Sequence, residues 1–219
     1  MSDSARVPRT LREAARSFFS FGSPRILGAQ LACALLVRPL LGRPKLADAV
    51  VLAGVAAYWP VQEWILHKYV LHGRPIKIGS WVWESAPAQA HRRHHDKPLE
   101  PKSTLLPAWT IATLVPLHLV LWKAIAPSRS VACTGVIALG AAALSYEWIH
   151  FLTHTAYRPH TAWFRAVKRR HLAHHFRDAQ RWFAFAVPSV DEWLGTGGSV
   201  DATSPPRTAP PSADEPAES

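Results

Sequence analysis

Four long apolar runs constrain the fold of this 219-residue chain more than any other feature. They cover residues 26–42, 46–66, 105–126 and 131–152. A bilayer core needs roughly 20 apolar helical residues, which the last three runs supply almost without charge. The first run is shorter and carries Arg38 near its end. The pattern predicts an all-α integral membrane protein with four transmembrane helices.

The lysines and arginines predict on which side of the membrane the connecting segments lie. Residues 1–25 hold five of these 25 residues, residues 68–104 hold seven, and the chain after residue 152 holds eight. Four spans place these three segments on one side, and an excess of Lys and Arg marks the cytoplasmic side. The net charge of +10 is then explained by topology and by attraction to anionic lipid headgroups. We therefore expect no nucleic-acid partner.

Composition divides the chain into three regions. We predict a basic interfacial arm over residues 1–25, a membrane-embedded domain over residues 26–196, and a disordered tail rich in Pro, Ser and acidic residues over residues 197–219. Cys33 and Cys133 both lie inside apolar runs, which argues against a disulfide framework and against a thiolate metal site.

Ten of the 12 histidines fall into four clusters, at or beyond the inner ends of the second and fourth runs. The clusters are His67 and His72; His91, His94 and His95; His150 and His154; and His171, His174 and His175. Imidazole suits zinc, iron, copper and nickel, and ten ligands exceed the needs of one ion. The sequence contains neither HExxH nor CxxC, the commonest zinc patterns. We interpret the clusters as a two-metal site for redox chemistry.

The clusters repeat, so the chain resembles a loose duplicate with a cytoplasmic, helical, His-rich cap. "EWILHKYVLH" at 63–72 matches "EWIHFLTH" at 147–154, and a His-x-x-His-His follows each. Histidines three or four apart share a helical face. His67 and His72 are five apart, offset by about 140° on a regular helix. We expect the second span to unwind or end between them.

Other interpretations of the histidines are a nonspecific metal-binding tract or a solvated, pH-sensitive patch. Four clusters at one membrane depth, in duplicate, disfavour both. His118, in the third run, and His160, in a loop, belong to no cluster. His118 fits either a packed polar residue or a tunnel-lining one, and intramembrane ionisable groups are often functional.

The order His-x4-His, His-x2-His-His, His-x3-His, His-x2-His-His resembles the fatty acid hydroxylase and sterol desaturase superfamily of membrane di-iron enzymes. The resemblance runs from about Glu63 to Thr196. "HRRHHDKPLEPKSTLLP" is similar to the second box of fatty acid 2-hydroxylases, and "FAFAVPSVDEWLGT" resembles a later segment of that family. Ala184, Trp182 and Arg92 depart from the family pattern, which bears on substrate choice more than on the metal centre.

The resemblance implies that the ten clustered histidines hold two iron ions (Fe2+/Fe3+). It also implies a monooxygenase that uses O2 to hydroxylate a lipid acyl chain, with electrons from a separate cytochrome b5-like or ferredoxin-like donor. The location would be the inner membrane of a bacterial cell or the endoplasmic reticulum of a eukaryotic one. A sterol or lipid desaturase and a carotenoid hydroxylase would share the same centre. A non-catalytic membrane metal-binding protein and a metal transporter are further alternatives.

Several carboxylates lie near the histidines in sequence. Glu63 and Glu147 precede the first histidine of their boxes by four and three residues, so each could accept an imidazole N–H or extend toward water at the end of a span. Asp96 and Asp178 fit the same role or a helix cap. We interpret Asp191 as structural, holding the C-terminal segment over the site.

Overall fold

The computed structural model describes residues 7–200, and four of its helices are long and apolar enough to cross a membrane. These spans are Gly22–Leu41, Leu46–Leu71, Pro101–Ile125 and Arg129–Thr153. They confirm the predicted all-α, four-helix membrane architecture, including the short first run, which starts four residues earlier than the apolar pattern indicates.

The described chain adds short elements to these spans. Its helices are α1 Leu11–Phe18, α2 Gly22–Val37, α3 Leu46–Ile65, α4 Ala86–Asp96, α5 Pro101–Thr104, α6 Ala108–Ile125, α7 Arg129–Thr153, α8 Ala162–Phe176 and α9 Ser189–Trp193. A 3-10 turn, Arg38–Leu41, ends the first span, and a π-helix, Leu66–Leu71, ends the second. Strands β1 Ile76–Ile78 and β2 Trp81–Trp83 form a small antiparallel hairpin.

The charged residue in the first span is neutralised at the ends of three helices. Arg38 forms an ion pair of 2.8 Å with Asp48 at the start of α3. Its Nε also donates to the Thr134 hydroxyl on α7 at 2.8 Å. A buried charge is costly unless it is paired and hydrogen-bonded, so this network explains how Arg38 is accommodated.

The π-helix resolves the spacing of the first histidine pair. The regular helix ends at Ile65 and continues as a π-helix, so the span ends at Leu71, between His67 and His72 as expected, without unwinding. The His72 N–H donates to the His67 carbonyl at 3.1 Å, the i→i+5 bond of a π-helix. This wider turn brings residues five apart onto one face, so both histidines reach the same site.

The N-terminal arm and the C-terminal segment pack at the histidine end of the spans. Ala14 and Phe18 of α1 are buried, and the Phe18 ring lies 5.5 Å from that of Phe151 on α7. Hydrogen bonds continue to Gly198, whose carbonyl accepts from the indole N–H of Trp182 at 3.1 Å. Residues 1–6 and 201–219, which include most of the predicted tail, lie outside the described residues.

Gly135 on α7 permits a close approach to α6. A Cβ there would lie 2.2–2.5 Å from atoms of the Trp122 ring. We expect Gly135→Ala to destabilise the protein by about 1–3 kcal/mol, because the bulky indole has to shift. Unfolding in detergent, followed by tryptophan fluorescence, measures this. Gly54→Ala is the matched control, since its Cβ would meet nothing within 4 Å and alanine favours a helix. Equal stability of the two variants would contradict the packing.

Candidate metal centre

All ten predicted histidines converge at one end of the spans, where they form two groups of five. The first group is His67, His72, His91, His95 and His174. The second group is His94, His150, His154, His171 and His175. Within each group one ring nitrogen per histidine lies within 4.8 Å of all the others. His118 and His160 join neither group.

The converging atoms are the Nε2 nitrogens. In the first group neighbouring Nε2 atoms are 3.0–3.2 Å apart. In the second group they are 2.7–3.1 Å apart. If these nitrogens occupied corners of an octahedron, the distance from its centre to each nitrogen would be the nitrogen–nitrogen distance divided by the square root of two. For the first group this gives about 2.2 Å, near the ~2.0–2.1 Å between zinc and an imidazole nitrogen. The spacing fits a metal ion.

Backbone carbonyls fix the tautomer of two rings in the first group. The Nδ1–H of His67 donates to the Phe183 carbonyl at 2.7 Å, and that of His174 donates to the Arg181 carbonyl at 2.6 Å. A carbonyl only accepts, so in each neutral ring Nε2 has no hydrogen and presents a lone pair to the other histidines. Lone pairs that face one another repel unless a cation lies among them. Metal ligands are commonly oriented by such carbonyls.

Burial keeps these rings neutral. It lowers the pKa of His72 to about 4 and that of His94 to about 3, because desolvation disfavours the charged imidazolium. The pKa of His171 and that of His174 lie well below the ordinary range for the same reason, with neighbouring histidines adding to the effect. Neutral imidazole is the form that binds metal.

The two groups are related by the duplication. Each contains both histidines of one span-end box and the first and third histidines of the His-x-x-His-His that follows it. Each is completed by the middle histidine of the other half, His174 for the first group and His94 for the second. The halves therefore exchange one ligand, so neither group is complete without both halves.

A C-terminal segment, residues 181–196, holds the first group in place. Trp182 has a positive φ of 58°, which aims the carbonyls on both sides of it at histidines. Asp191 is fully buried and accepts from the backbone N–H groups of Phe183 and Ala184 at 2.9 and 3.1 Å. It also accepts from the Thr196 hydroxyl at 2.8 Å. These bonds confirm the structural role predicted for Asp191.

The left-handed backbone at Trp182 is a conformation that bulky residues rarely adopt. Glycine, asparagine and aspartate adopt it more readily, so tryptophan is a strained choice at this position. The Trp182 indole N–H donates to the Gly198 carbonyl, which stabilises the tryptophan in place.

Both interpretations of Glu63 and Glu147 are wrong, since the carboxylates neither orient imidazoles nor extend toward water, being 2% and 4% exposed. Glu63 accepts from the backbone N–H groups of Phe185 and Ala186 at 2.9 and 2.5 Å. Glu147 accepts from the Leu106 N–H at 3.3 Å and the Ser23 hydroxyl at 2.5 Å. Among the described residues neither carboxylate hydrogen-bonds a histidine, because both point toward backbone segments that leave the His-x-x-His-His helices.

The aspartates close to the His-His pairs do not orient imidazoles either. Asp178 accepts from the Gln180 N–H at 2.9 Å and lies 3.6 Å from the Arg181 guanidinium. Asp96 is exposed and is the last residue of α4. Asp178 thus stabilises the turn that follows α8.

An apolar cavity of about 440 Å³ lies among α2, α3, α6 and α7 and ends near the histidines. A space of about 20 Å³, lined by His91 and His150, shares Leu71, Tyr146 and two other lining residues with the cavity. It therefore lies between the cavity and one histidine of each group. Tyr146 was not singled out from the sequence, although it directly precedes the repeated Glu-Trp-Ile.

Comparisons with known proteins agree with this architecture. The family model for fatty acid hydroxylases matches residues 52–196. Two dihydroceramide fatty acyl 2-hydroxylases of Arabidopsis thaliana are similar to the chain. One is 28% identical over 145 residues, covering 66% of this chain and 59% of its own. The other is 31% identical over 141 residues, covering 63% of this chain and 56% of its own.

A solved structure shares the fold. It is full-length Scs7p, in which only the hydroxylase domain is visible, with a TM-score of 0.61 and 22% identity over 81% of this chain and 64% of that chain. The chain thus spans less than two thirds of each of these three relatives. The family match covers well over half of the described residues and includes every histidine of both groups. This chain is therefore a member of the fatty acid hydroxylase family.

Proposed function

We propose that the chain is a membrane monooxygenase that hydroxylates a lipid acyl chain, with two iron ions held by the ten histidines. The observation that carries the proposal is the pair of five-nitrogen groups at the end of an apolar cavity within the spans. The relatives named as dihydroceramide fatty acyl 2-hydroxylases support an acyl substrate and carbon 2 as the position of attack.

The donor set fits iron better than a closed zinc site. Each group offers five imidazoles, more than the four ligands that structural zinc takes, and nitrogen-rich ligation suits redox iron. The chemistry that the bound iron ions would supply is reductive activation of O2, which needs two electrons and two protons, converts a C–H bond into C–O–H and releases water. We propose that the electrons come from a separate donor protein.

The residues of this chain hold the site rigid and dry. The Phe185 ring lies 4.6 Å from that of His171 and 5.2 Å from that of His150, and it is 1% exposed. The Phe183 ring, also 1% exposed, lies 5.3 Å from the ring of His67, and the Phe183 carbonyl orients that imidazole. Excluding water from such a site prevents side reactions of the activated oxygen.

The cavity fits an acyl chain whose polar end stays at the level of the histidines. Its walls are apolar side chains of the spans, such as Leu27, Leu114 and Leu139. An acyl chain lying there places its first carbons at the small space beside Tyr146, next to His150. This placement favours oxidation close to the headgroup and supports carbon 2.

We further propose that the site faces the cytoplasm. The predicted inner segments carry 20 of the 25 lysines and arginines, against five elsewhere, which is the bias of cytoplasmic loops. The histidines lie at the ends of the spans on that same side.

Expression of the chain in a host, followed by mass spectrometry of its membrane lipids, tests the function. We expect one lipid class to gain one oxygen, with fragmentation placing it at carbon 2. Loss of two hydrogens without added oxygen would instead indicate a desaturase. Unchanged lipids with metal-loaded protein and a reducing donor present would contradict both and favour a binding protein.

A further inference from the structure

The deep end of the apolar cavity is closed by polar side chains. The side-chain amide of Gln30, on α2, lies 3.1 Å from Nδ1 of His118, on α6. The indole N–H of Trp122 donates to Nε2 of His118 at 2.8 Å. Gly140 contacts Gln30 and precedes His150 by ten residues, about 15 Å along the helix. Polar groups therefore lie near the middle of the bilayer, far from the metal centre.

The indole of Trp122 assigns the hydrogen-bond roles of these residues. The indole N–H only donates, so Nε2 of His118 accepts and the neutral ring carries its hydrogen on Nδ1. That Nδ1–H requires an acceptor, which is the amide oxygen of Gln30 once the amide is turned by half a rotation.

The packing of α7 holds this arrangement in position. The Trp122 ring fills the space where a side chain at Gly135 would stand. Gln30 lies against Gly140, whose Cβ would be 3.8 Å from its amide nitrogen. Two glycines of α7 thus let the residues of α2 and α6 meet between the helices.

Two apolar cavities meet at Gln30: they follow one another along α7, whereas their linings overlap on α2 and α6. The inner one, of about 440 Å³, leads to the histidines, and the outer one, of about 790 Å³, lies toward the other end of α2, α6 and α7. Gln30 and Val115 line both cavities. On α7 the lining of the inner cavity begins at Leu139, and that of the outer cavity ends at Val136.

We propose that Gln30, His118 and Trp122 form a partition that sets the length of the acyl chain this enzyme accepts. An acyl chain that ends before the partition buries its methylenes against apolar walls. A longer chain must displace the amide and break its hydrogen bond in a medium that offers no replacement, which is costly. The inference rests on the proposed function, because it identifies the cavity as the acyl site.

Gln30→Ala tests the partition, because it removes the polar side chain that lines both cavities. Purified metal-loaded protein is mixed with saturated fatty acids that differ by two methylenes, and thermal stabilisation gives the affinity for each. Each further pair of methylenes beyond the normal limit should bind about tenfold more tightly to Gln30→Ala than to the unaltered protein. The chain-length profile of hydroxylated products should shift in the same direction.

Two further variants make the result decisive. Cys33→Ala is the matched control, since Cys33 lies one turn along α2 and lines only the outer cavity, so its profile should stay unchanged. Trp122→Phe keeps a ring against Gly135 but loses the N–H that fixes His118. It should shift the chain-length profile in the same direction but less far, and it replaces Gln30→Ala as the test if that variant fails to fold. Identical profiles for all variants would overturn the partition. Absence of hydroxylated product for every chain, with a shifted binding profile, would instead count against the proposed function alone.

Discussion

Replacing one histidine of each group, by His174→Ala and His171→Ala together, is expected to abolish hydroxylation and to release both metal ions. Both side chains are almost fully buried, and each supplies one of five converging nitrogens. Removal of a group that only orients a metal ligand lowers metal affinity about 10–100-fold. Removal of the ligand itself should lower the affinity further. Metal analysis of the purified variant and lipid mass spectrometry measure the two effects.

His160→Ala is the matched control for the double variant. His160 lies in the loop before α8, joins neither group, and offers its carbonyl, which the substitution retains, to Arg165. Its metal content and products should match those of the unaltered protein. A double variant that keeps both metals and its activity would show that the histidine groups do not form the metal centre.

Asp191→Ala is expected to destabilise the protein by about 3 kcal/mol or more and to release metal from the first group preferentially. The carboxylate is fully buried and satisfies two backbone N–H groups and one hydroxyl, which the variant leaves without a partner. The carbonyl of Phe183 would then no longer hold His67, so metal affinity there should fall about 10–100-fold. Unfolding in detergent and metal titration measure these two quantities.

Asp178→Asn is the matched control for Asp191→Ala. Asp178 lies three residues before the C-terminal segment, but its side chain is 39% exposed, and an asparagine can still accept from the Gln180 N–H. Its stability and metal content should be nearly unchanged. Equal loss of both metals from Asp191→Ala, or no loss at all, would contradict the selective role of the C-terminal segment.

The four spans and the ten clustered histidines could be predicted because both depend on local patterns in the sequence. Apolar length decides whether a helix can cross a bilayer, and helical spacing decides which histidines share a face. The π-helix at the end of the second span follows less directly. Five-residue spacing between His67 and His72 indicated a departure from regular helix, but a wider turn and an unwound one satisfy it equally.

The division of the histidines between two groups could not be predicted. Spacing places all three rings of a His-x-x-His-His on one side, yet His94 and His174 each face the group of the other half. This exchange depends on how the two halves dock. The partners of Glu63 and Glu147 are equally non-local, since each bonds a backbone segment at least 40 residues away in sequence.

The metal content of the purified protein, measured together with its X-ray absorption spectrum, tests the two-group metal centre most directly. The account predicts two iron ions per chain, each with imidazole nitrogens as its nearest neighbours and none with sulfur. An active protein with one ion or none per chain, or with ligands other than histidine nitrogens, would contradict it.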